Sequence, residues 1–432
     1  MSSLTAVADG LDFPTSLAFD NDHGVYLAES GLPFAGAAPG GRIWRMGRDG
    51  AGRRLVADQL AAPVTGLLWH QDHLYVSEGG AGRITRIGPD GKRTVIVDGL
   101  PGPGNYHVDM AVAGPDGKLY FAQGAMSNLG IIGLDAYELG WLGRLPHAYD
   151  VPGLDIELTG VNATTRDPLS GTPDAQAVTG AFAPFGTATR PGQRIAAELP
   201  CTASVMRCDL DGGNLELVAW GIRNAFGLGF LPDGRLLAVD QGADDRGSRP
   251  IGNAPDLLLE IHEGAWYGWP DFIGGIPVTD PRFAPERGPQ PTFLLAGHDR
   301  LPPPEQAVLD FEAHVAATKF AVAPPSSPFA GQLVVTLFGD EAPMTLPPGG
   351  PQLGRHLLMV DPDDWSTRGL QGEPELHRPI DVGFAPGDPA LYVLDFGRFE
   401  MTDHGVEAKA GTGRLLRWEG WDGPTASAAS AD

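Results

Sequence analysis

The chain has 432 residues, 42% of them hydrophobic, and a formal charge of −24 from 30 Lys+Arg against 54 Asp+Glu. This acidic balance excludes a phosphate-binding surface, which needs clustered cations to displace counterions, so nucleic acid is not an expected partner. The hydrophobic share suffices for a large packed core, while no run of about 18 apolar residues is present to cross a membrane.

Residues 1–16 (MSSLTAVADGLDFPTS) lack the basic start and apolar centre of an export signal, so a cytosolic protein is expected unless an export segment has been removed. From Leu17 onward a short apolar run, a turn and a second apolar run recur six times. The copies begin at Leu17 (LAFDNDHGVYLAES), Leu67 (LLWHQDHLYVSE), Met110 (MAVAGPDGKLYFAQ), Leu228 (LGFLPDGRLLAVDQ), Phe320 (FAVAPPSSPFAGQLVVTL) and Val382 (VGFAPGDPALYVLD). Each reads as two strands about a tight turn, and Pro-Asp-Gly at 115–117 and 232–234 supplies residues that tolerate the turn. Further strand-like sequence follows, RIWRMGRDGAGRRLVA at 42–57 and RITRIGPDGKRTVIVD at 83–98, which makes a unit of about four strands. Radial repetition of such sheets predicts an all-β protein, a six-bladed β-propeller in a single domain over residues 1–421. A small-molecule substrate or ligand is then expected at the loops around one mouth of the central channel.

Two stretches break the pattern. Residues 125–198, inside the third blade, show no sustained periodicity, and a segment that long is uncommon in a compact domain unless it is functional or disordered. Its Trp141, Leu142, Leu145 and Tyr149 predict order, since such side chains are costly in water, and the expected role is a lid over the mouth, with a packed structural elaboration as the alternative. Residues 271–316 are rich in proline (GIPVTDPRFAPERGPQPTF, RLPPPEQ) and predict extended segments wrapped on the rim. The tail, 422–432, has no apolar anchor and predicts disorder. Cys201 and Cys208, the only two cysteines, would lie roughly 23 Å apart on a straight strand, far beyond the roughly 7 Å a disulfide allows, so a reduced pair is expected.

In a propeller, the residues just before each innermost strand stand at one mouth. Across the six copies these are Ser16, Thr65, His107 with Asp109, Arg223 with Asn224, Thr318 with Lys319, and Arg378 with Asp381. Such a set suits proton transfer and the holding of an anionic group, or else mutual satisfaction of polar groups where blades meet. His107 is the leading base, because imidazole titrates near neutrality, with Asp109 to orient it; His147, His298 and His314 are rivals. The segment VDQGADDRGSRPIGNAPDLLLEIHEGAWYGWPDF (239–272) brings Asp240, Asp244, Asp245 and Asp256 together with Gly242. Hard oxygens in that density predict a Ca²⁺ site, against the simpler reading of an acidic surface loop.

At these residues the chain resembles the soluble quinoprotein glucose/sorbosone dehydrogenases, six-bladed propellers that bind pyrroloquinoline quinone (PQQ) and Ca²⁺ and oxidise sugars. The resemblance rests on GIRNAFGLGFLPDGRLLAVDQG, similar to the family's Arg-Asn-x-x-Gly-Leu strand and acidic-x-Gly turn, and on PDLLLEIHEGAWYGWP, similar to its Asp-Glu-Ile-Asn and Tyr-Gly-Trp-Pro run. It implies that Arg223 and Asn224 contact the quinone, with Lys319 and Arg378 as further cofactor contacts, and that Gly242 and Asp256 hold calcium. It also implies a PQQ- and calcium-dependent dehydrogenase of a sugar or other alcohol. His107 would take the hydroxyl proton as hydride passes to the quinone, and Arg223 would stabilise the reduced cofactor. The chain departs from the pattern at Val64 for a Gln, Leu257 for a Glu, Ala243 for a Pro, Phe338-Gly339 for a Lys, and Ile380 for the second Arg of Arg-x-Arg. His107 also stands one residue nearer the Gly-Pro-Asp-Gly turn than the family's catalytic His. Those departures suit two other readings, a metal-dependent lactonase-like hydrolase and a noncatalytic ligand-binding propeller.

Overall fold

The apolar runs form strands because both of their faces are covered. The second strands of five repeats, Gly24–Glu29, Leu119–Gln123, Leu236–Asp240, Leu333–Leu337 and Leu391–Asp395, are buried at every residue. Outer strands such as Arg54–Leu60 and Arg93–Val97 are largely exposed, as one-sided packing requires. In the computed structural model, which describes residues 3–420 except Gln371 and Glu373, six of the ten sheets are the blades of the repeats, and the other four are small sheets of two or three strands. The tail 422–432 lies outside the described residues.

The innermost strands are Pro14–Phe19, Val64–His70, Val108–Ala113, Ala225–Phe230, Ala317–Val322 and Pro379–Phe384, one for each repeat. Five sheets run outward in chain order. The sixth takes its outermost strand from the start of the chain, where Ser3–Leu11 pairs antiparallel with Gly413–Glu419. This closes a ring of six blades, five of four strands and the third with a short fifth strand, Ala265–Trp266, and leaves no open seam between first and last.

The two irregular stretches are ordered. Within residues 125–198 lie a short helix, Leu134–Glu138, and a hairpin, Asn162–Arg166 with Gln176–Gly180. Ile156–Leu158 pairs with both Arg194–Ile195 and Leu295–Ala296, so the two stretches share one small sheet. Trp141 and Leu142 are buried with Met126, Ile132 and Ala136, whereas Tyr149 is exposed. The second stretch is shorter than the sequence suggests, because Leu309–Ala313 is the outer strand of the fourth blade. Cys201 and Cys208 are buried free thiols. Among the described residues no helix is long and apolar enough to cross a membrane.

Asp150 anchors the first stretch by accepting from Met126 N at 2.6 Å and Thr202 Oγ1 at 3.0 Å, with Ser127 Oγ on its other oxygen. Burial pushes its carboxyl up to about 6, against the opposing pull of those bonds. Between the unfolded value of 3.8 and about 6, the folded chain keeps a proton that the unfolded chain has released, so stability falls as pH rises through that window. Relative to Asp150→Asn, wild type should lose about 1.4 kcal/mol per pH unit there in urea melts and run parallel above it. Parallel curves throughout would show a carboxyl already ionised in the fold.

Candidate functional site

All six innermost strands carry a register shift near their start, between Pro14 and Ser16, Val64 and Gly66, Val108 and Ala111, Ala225 and Gly227, Ala317 and Phe320, and Pro379 and Asp381. A bulge re-aims side chains away from simple alternation. Here it turns Phe226, Thr318 and Ile380 into a cavity of about 320 Å³ at the channel mouth. The cavity has two unlike sides. Blades three and four contribute Tyr106, His107, Arg223, Asn224, Gln241 and Asp244, whereas the facing side is Phe34, Phe226, Phe338, Ile380, Phe399 and Met401.

His107 lines the polar side with its ring one-fifth exposed, and its Nδ1 lies 3.5 Å from Asp109 Oδ1. That is just outside hydrogen-bond range, so a movement on the order of 0.5 Å would close the pair. Neither oxygen of Asp109 nor Nδ1 of His107 has another hydrogen-bond partner. Burial raises the Asp109 carboxyl, opposed by His107 and by Lys319. With Nδ1–H toward Asp109, Nε2 is the ring's free acceptor. Gly79 backs the ring so closely that a Cβ there would sit 2.7 Å from His107 Cγ. No sequence signal marked Gly79, since its function is simply to lack a side chain.

Arg223 is 4% exposed and fully engaged. Nε donates to Asn128 O at 3.0 Å, and Nη1 donates to Gln241 O at 3.0 Å and Gly242 O at 2.6 Å. Nη2 donates to Asn128 Oδ1 at 2.7 Å, Asp244 Oδ2 at 2.8 Å and the Tyr106 hydroxyl. Burial alone would raise the Asp244 carboxyl, but Arg223 and Arg246 hold it below its usual range. Asn224 donates Nδ2 to Gln241 Oε1 at 2.8 Å and leaves its own Oδ1 unpartnered. Sequence reading missed Asn128, Tyr106 and Arg246, which stand far from Arg223 in the chain or beside it in a loop with no repeat signal.

The carboxylates proposed from sequence as calcium ligands are dispersed. Asp240 accepts from Asn224 N at 2.6 Å and Arg223 N at 3.3 Å, Asp245 accepts from Glu286 N at 2.8 Å, and Asp256 accepts from Gly242 N and Ala317 N, each at 2.6 Å. Burial lifts Asp240 to about 6 and Asp256 to about 7. Only Gly242 and Asp244 converge, and both converge on Arg223. Among the described residues no group of three or more His, Cys, Asp or Glu side chains is disposed to hold a metal.

The remaining mouth residues divide by depth. Lys319 is 2% exposed and plugs the channel, donating to Thr15 O and Thr65 O at 2.9 Å and to Asp381 Oδ2 at 3.2 Å. Ser16 Oγ donates to the same Asp381 oxygen at 3.0 Å, and Thr65 Oγ1 to Val108 O at 2.7 Å. Lys319 and Asp381 line a second cavity, of about 180 Å³, with Phe19, Phe320 and Phe384. Arg378 is buried off the mouth, donating to Phe399 O, Asp340 O and Glu400 Oε2. Of the rivals to His107, His314 lines the cavity, while His298 is held by Asp271 among Trp266, Phe272 and Phe293. Of the 125–198 stretch, Leu139 lines the cavity and Asn128 braces its wall.

No protein-family model matches the chain, and no curated protein sequence matches it. Solved structures do. The PQQ-bound form of aldose sugar dehydrogenase from Streptomyces coelicolor aligns over 97% of this chain and 98% of its own, with TM-score 0.55 and 16% identity. The apo form of the soluble aldose sugar dehydrogenase from Escherichia coli aligns over 97% and 99%, with TM-score 0.55 and 15% identity. A calcium structure of a carbohydrate-active enzyme of family AA12 from Trichoderma reesei aligns over 97% and 95%, with TM-score 0.57 and 13% identity. The chain has the propeller fold of the soluble sugar dehydrogenases.

Whether a sugar dehydrogenase's quinone would fit is decided by the lining charges. PQQ is a planar tricarboxylate and needs free cationic donors. The cavity offers Arg223 and Arg246, both ion-paired, against Asp244, Asp256, Asp340 and Glu341. Lys319 and Arg378 do not line it. The residues present therefore do not fit the quinone as a trianion, nor calcium on the dispersed carboxylates.

Proposed function

We propose that the protein acts as an oxidoreductase on a sugar or related alcohol bound at this mouth, with His107 taking the proton of the reacting hydroxyl. The observation that carries this reading is the His107–Asp109 pair at the cavity, where an imidazole with a free Nε2 is backed by an unpartnered buried carboxylate. Such a pair is arranged to accept one proton and stabilise the resulting imidazolium. The unpartnered Asn224 Oδ1 and the excess of lining carboxylates favour a neutral ligand rich in hydroxyl donors over an anionic one. The likeness to sugar dehydrogenases supports the same substrate class. In an alcohol oxidation the hydroxyl proton passes to His107 and the hydride leaves the same carbon to a diffusible two-electron acceptor, giving the carbonyl product and the reduced acceptor; the lining charges favour a neutral quinone in that role over PQQ with Ca²⁺.

Calorimetric titration tests this directly. Sugars and alkyl or aryl alcohols should bind to the purified protein without quinone, and PQQ should give no tight binding with or without Ca²⁺. Calcium-dependent tight binding of PQQ would restore the quinoprotein reading. Failure of a broad sugar and alcohol panel to bind, and to reduce an artificial dye, would overturn the proposal.

The phenylalanine side selects within that class. A ligand with a hydroxylated end toward His107 and an apolar group toward Phe338 buries surface that a free sugar leaves unmatched. Burying such a group contributes about 1.5–3 kcal/mol. Phe338→Ser should therefore weaken binding of an aryl glycoside by about tenfold or more while changing that of the free sugar by less than about twofold. Equal losses for both ligands would place Phe338 in general packing.

A further inference from the structure

Glu341 is a lining carboxylate for which the chain supplies no partner. The loop that leaves the second strand of the fifth blade, Leu333–Leu337, brings Phe338, Asp340, Glu341 and Thr345 to the cavity wall. The other carboxylates of the wall are engaged. Asp244 is shared by Arg223 and Arg246, Asp256 accepts from Gly242 N and Ala317 N, and Asp340 accepts from Leu353 N at 2.9 Å. Among the described residues the Glu341 carboxylate makes no hydrogen bond and no ion pair. Burial raises it above the usual carboxylate range, with Asp244 and Asp340 adding to the effect and Arg378 and Arg246 opposing it from beyond ion-pair range. Those two cations are committed elsewhere, Arg378 to Glu400 and Arg246 to Asp244.

A second observation points the same way. Asn224, 2% exposed, and Thr345, 9% exposed, both line the cavity, and Asn224 Oδ1 and Thr345 Oγ1 have no hydrogen-bond partner. An amide oxygen only accepts, so what the wall lacks is donors. Ligand hydroxyls would satisfy these oxygens but leave the Glu341 charge uncompensated in a cavity whose two arginines are already ion-paired. An ammonium supplies three donors and the charge together. The phenylalanine side does not oppose it, because aromatic faces are negative. Phe226 and Phe338 already hold a cation each, Lys319 Nζ at 5.5 Å and Arg378 Cζ at 5.1 Å from the ring centres.

We propose that this mouth recognises a protonated amine through Glu341, so that the substrate is an amino sugar or an amino alcohol rather than a plain sugar. The inference rests on the substrate reading above and narrows it.

Calorimetric titration at pH 7 with matched ligands tests it. D-Glucosamine and 2-amino-1-phenylethanol should bind wild type about tenfold or more tighter than D-glucose and 1-phenylethane-1,2-diol, in which a hydroxyl replaces the amine. Benzylamine, which has no hydroxyl to oxidise, should exceed benzyl alcohol by a similar factor. Glu341→Gln keeps the shape and removes the charge, so it should bring each amine to the affinity of its hydroxyl partner while melting near wild type. If Glu341→Gln does not fold, the wild-type comparisons decide alone. Equal affinity of amine and hydroxyl partners in wild type would overturn the proposal, and so would an amine advantage that survives Glu341→Gln. The substrate reading fails separately. Amines that bind with the expected advantage while no ligand reduces the dye would keep the ammonium site and remove the oxidoreductase. Hydroxyl compounds that reduce the dye without any preference for the amine would do the reverse, and binding of neither kind would overturn both.

Discussion

Replacing Lys319 by methionine is expected to cost about 3–5 kcal/mol of stability, the largest loss for any single side chain of the channel. Lys319 joins three blades at the axis, since its ammonium donates to Thr15 O in the first blade, Thr65 O in the second and Asp381 in the sixth. Burial depresses the ammonium, and Asp381 opposes that effect. Methionine keeps the volume but leaves Asp381 buried without its cation, holding only Ser16 Oγ and the backbone amides of Leu17 and Val382. Two carbonyls lose their donor as well. Chemical denaturation checks the magnitude, and a cycle with Asp381→Asn checks the cause. The double variant should fall short of the summed single losses by about 1–3 kcal/mol, because removing both charges leaves neither buried alone. A loss below about 1 kcal/mol for Lys319→Met would show that water solvates the channel axis well enough to replace the pair.

The ring of blades was legible from sequence because each repeat alternates two buried strands with a turn, a pattern set by residues close together in the chain. The Pro-Asp-Gly turns and the all-buried runs beginning near Leu27, Leu237 and Val393 are local facts. Site geometry is not local. Asp240, Asp244, Asp245 and Asp256 read together as a metal cluster, yet Asp240, Asp245 and Asp256 spend their oxygens on backbone amides, and the tight turns that create those amides leave no compositional trace. Arg223 read as a free cation because its partners at 106, 128 and 241–244 come together only through the fold. Of the residues read as standing just before the innermost strands, His107, Arg223, Asn224 and Arg378 precede them, whereas Ser16, Thr65, Asp109, Thr318, Lys319 and Asp381 lie within them, and the bulges send the set to different depths. Lys319 and Asp381 sink into the axis, His107 and Asn224 stay at the mouth, and Arg378 turns away from it.

Removing the His107 imidazole should have the largest effect on turnover of whichever sugar or alcohol the binding panel identifies. His107→Gln is expected to lower kcat by about 10²–10⁴ with little change in KM, the range for loss of a positioned general base. Asp109→Asn should reduce kcat less and again spare KM, because it leaves the base in place and removes only the carboxylate that orients it. Stability separates these effects from misfolding. Asp109 accepts no hydrogen bond from the blade and faces only the His107 ring at 3.5 Å, so its conversion to an amide should not destabilise the blade, whereas a structural carboxylate would be missed. Gly79→Ala supplies the sharper test, since it removes no functional group. Its methyl would press on the His107 ring from 2.7 Å and also meet Pro63 O at 3.1 Å, so the ring must leave its present position. A kcat loss approaching that of His107→Gln, in a protein that still binds substrate, would show that the placement of this ring is what the third blade supplies to the chemistry. Full activity in Gly79→Ala would sever the link between the dyad geometry and turnover, and would move attention to His314 across the cavity.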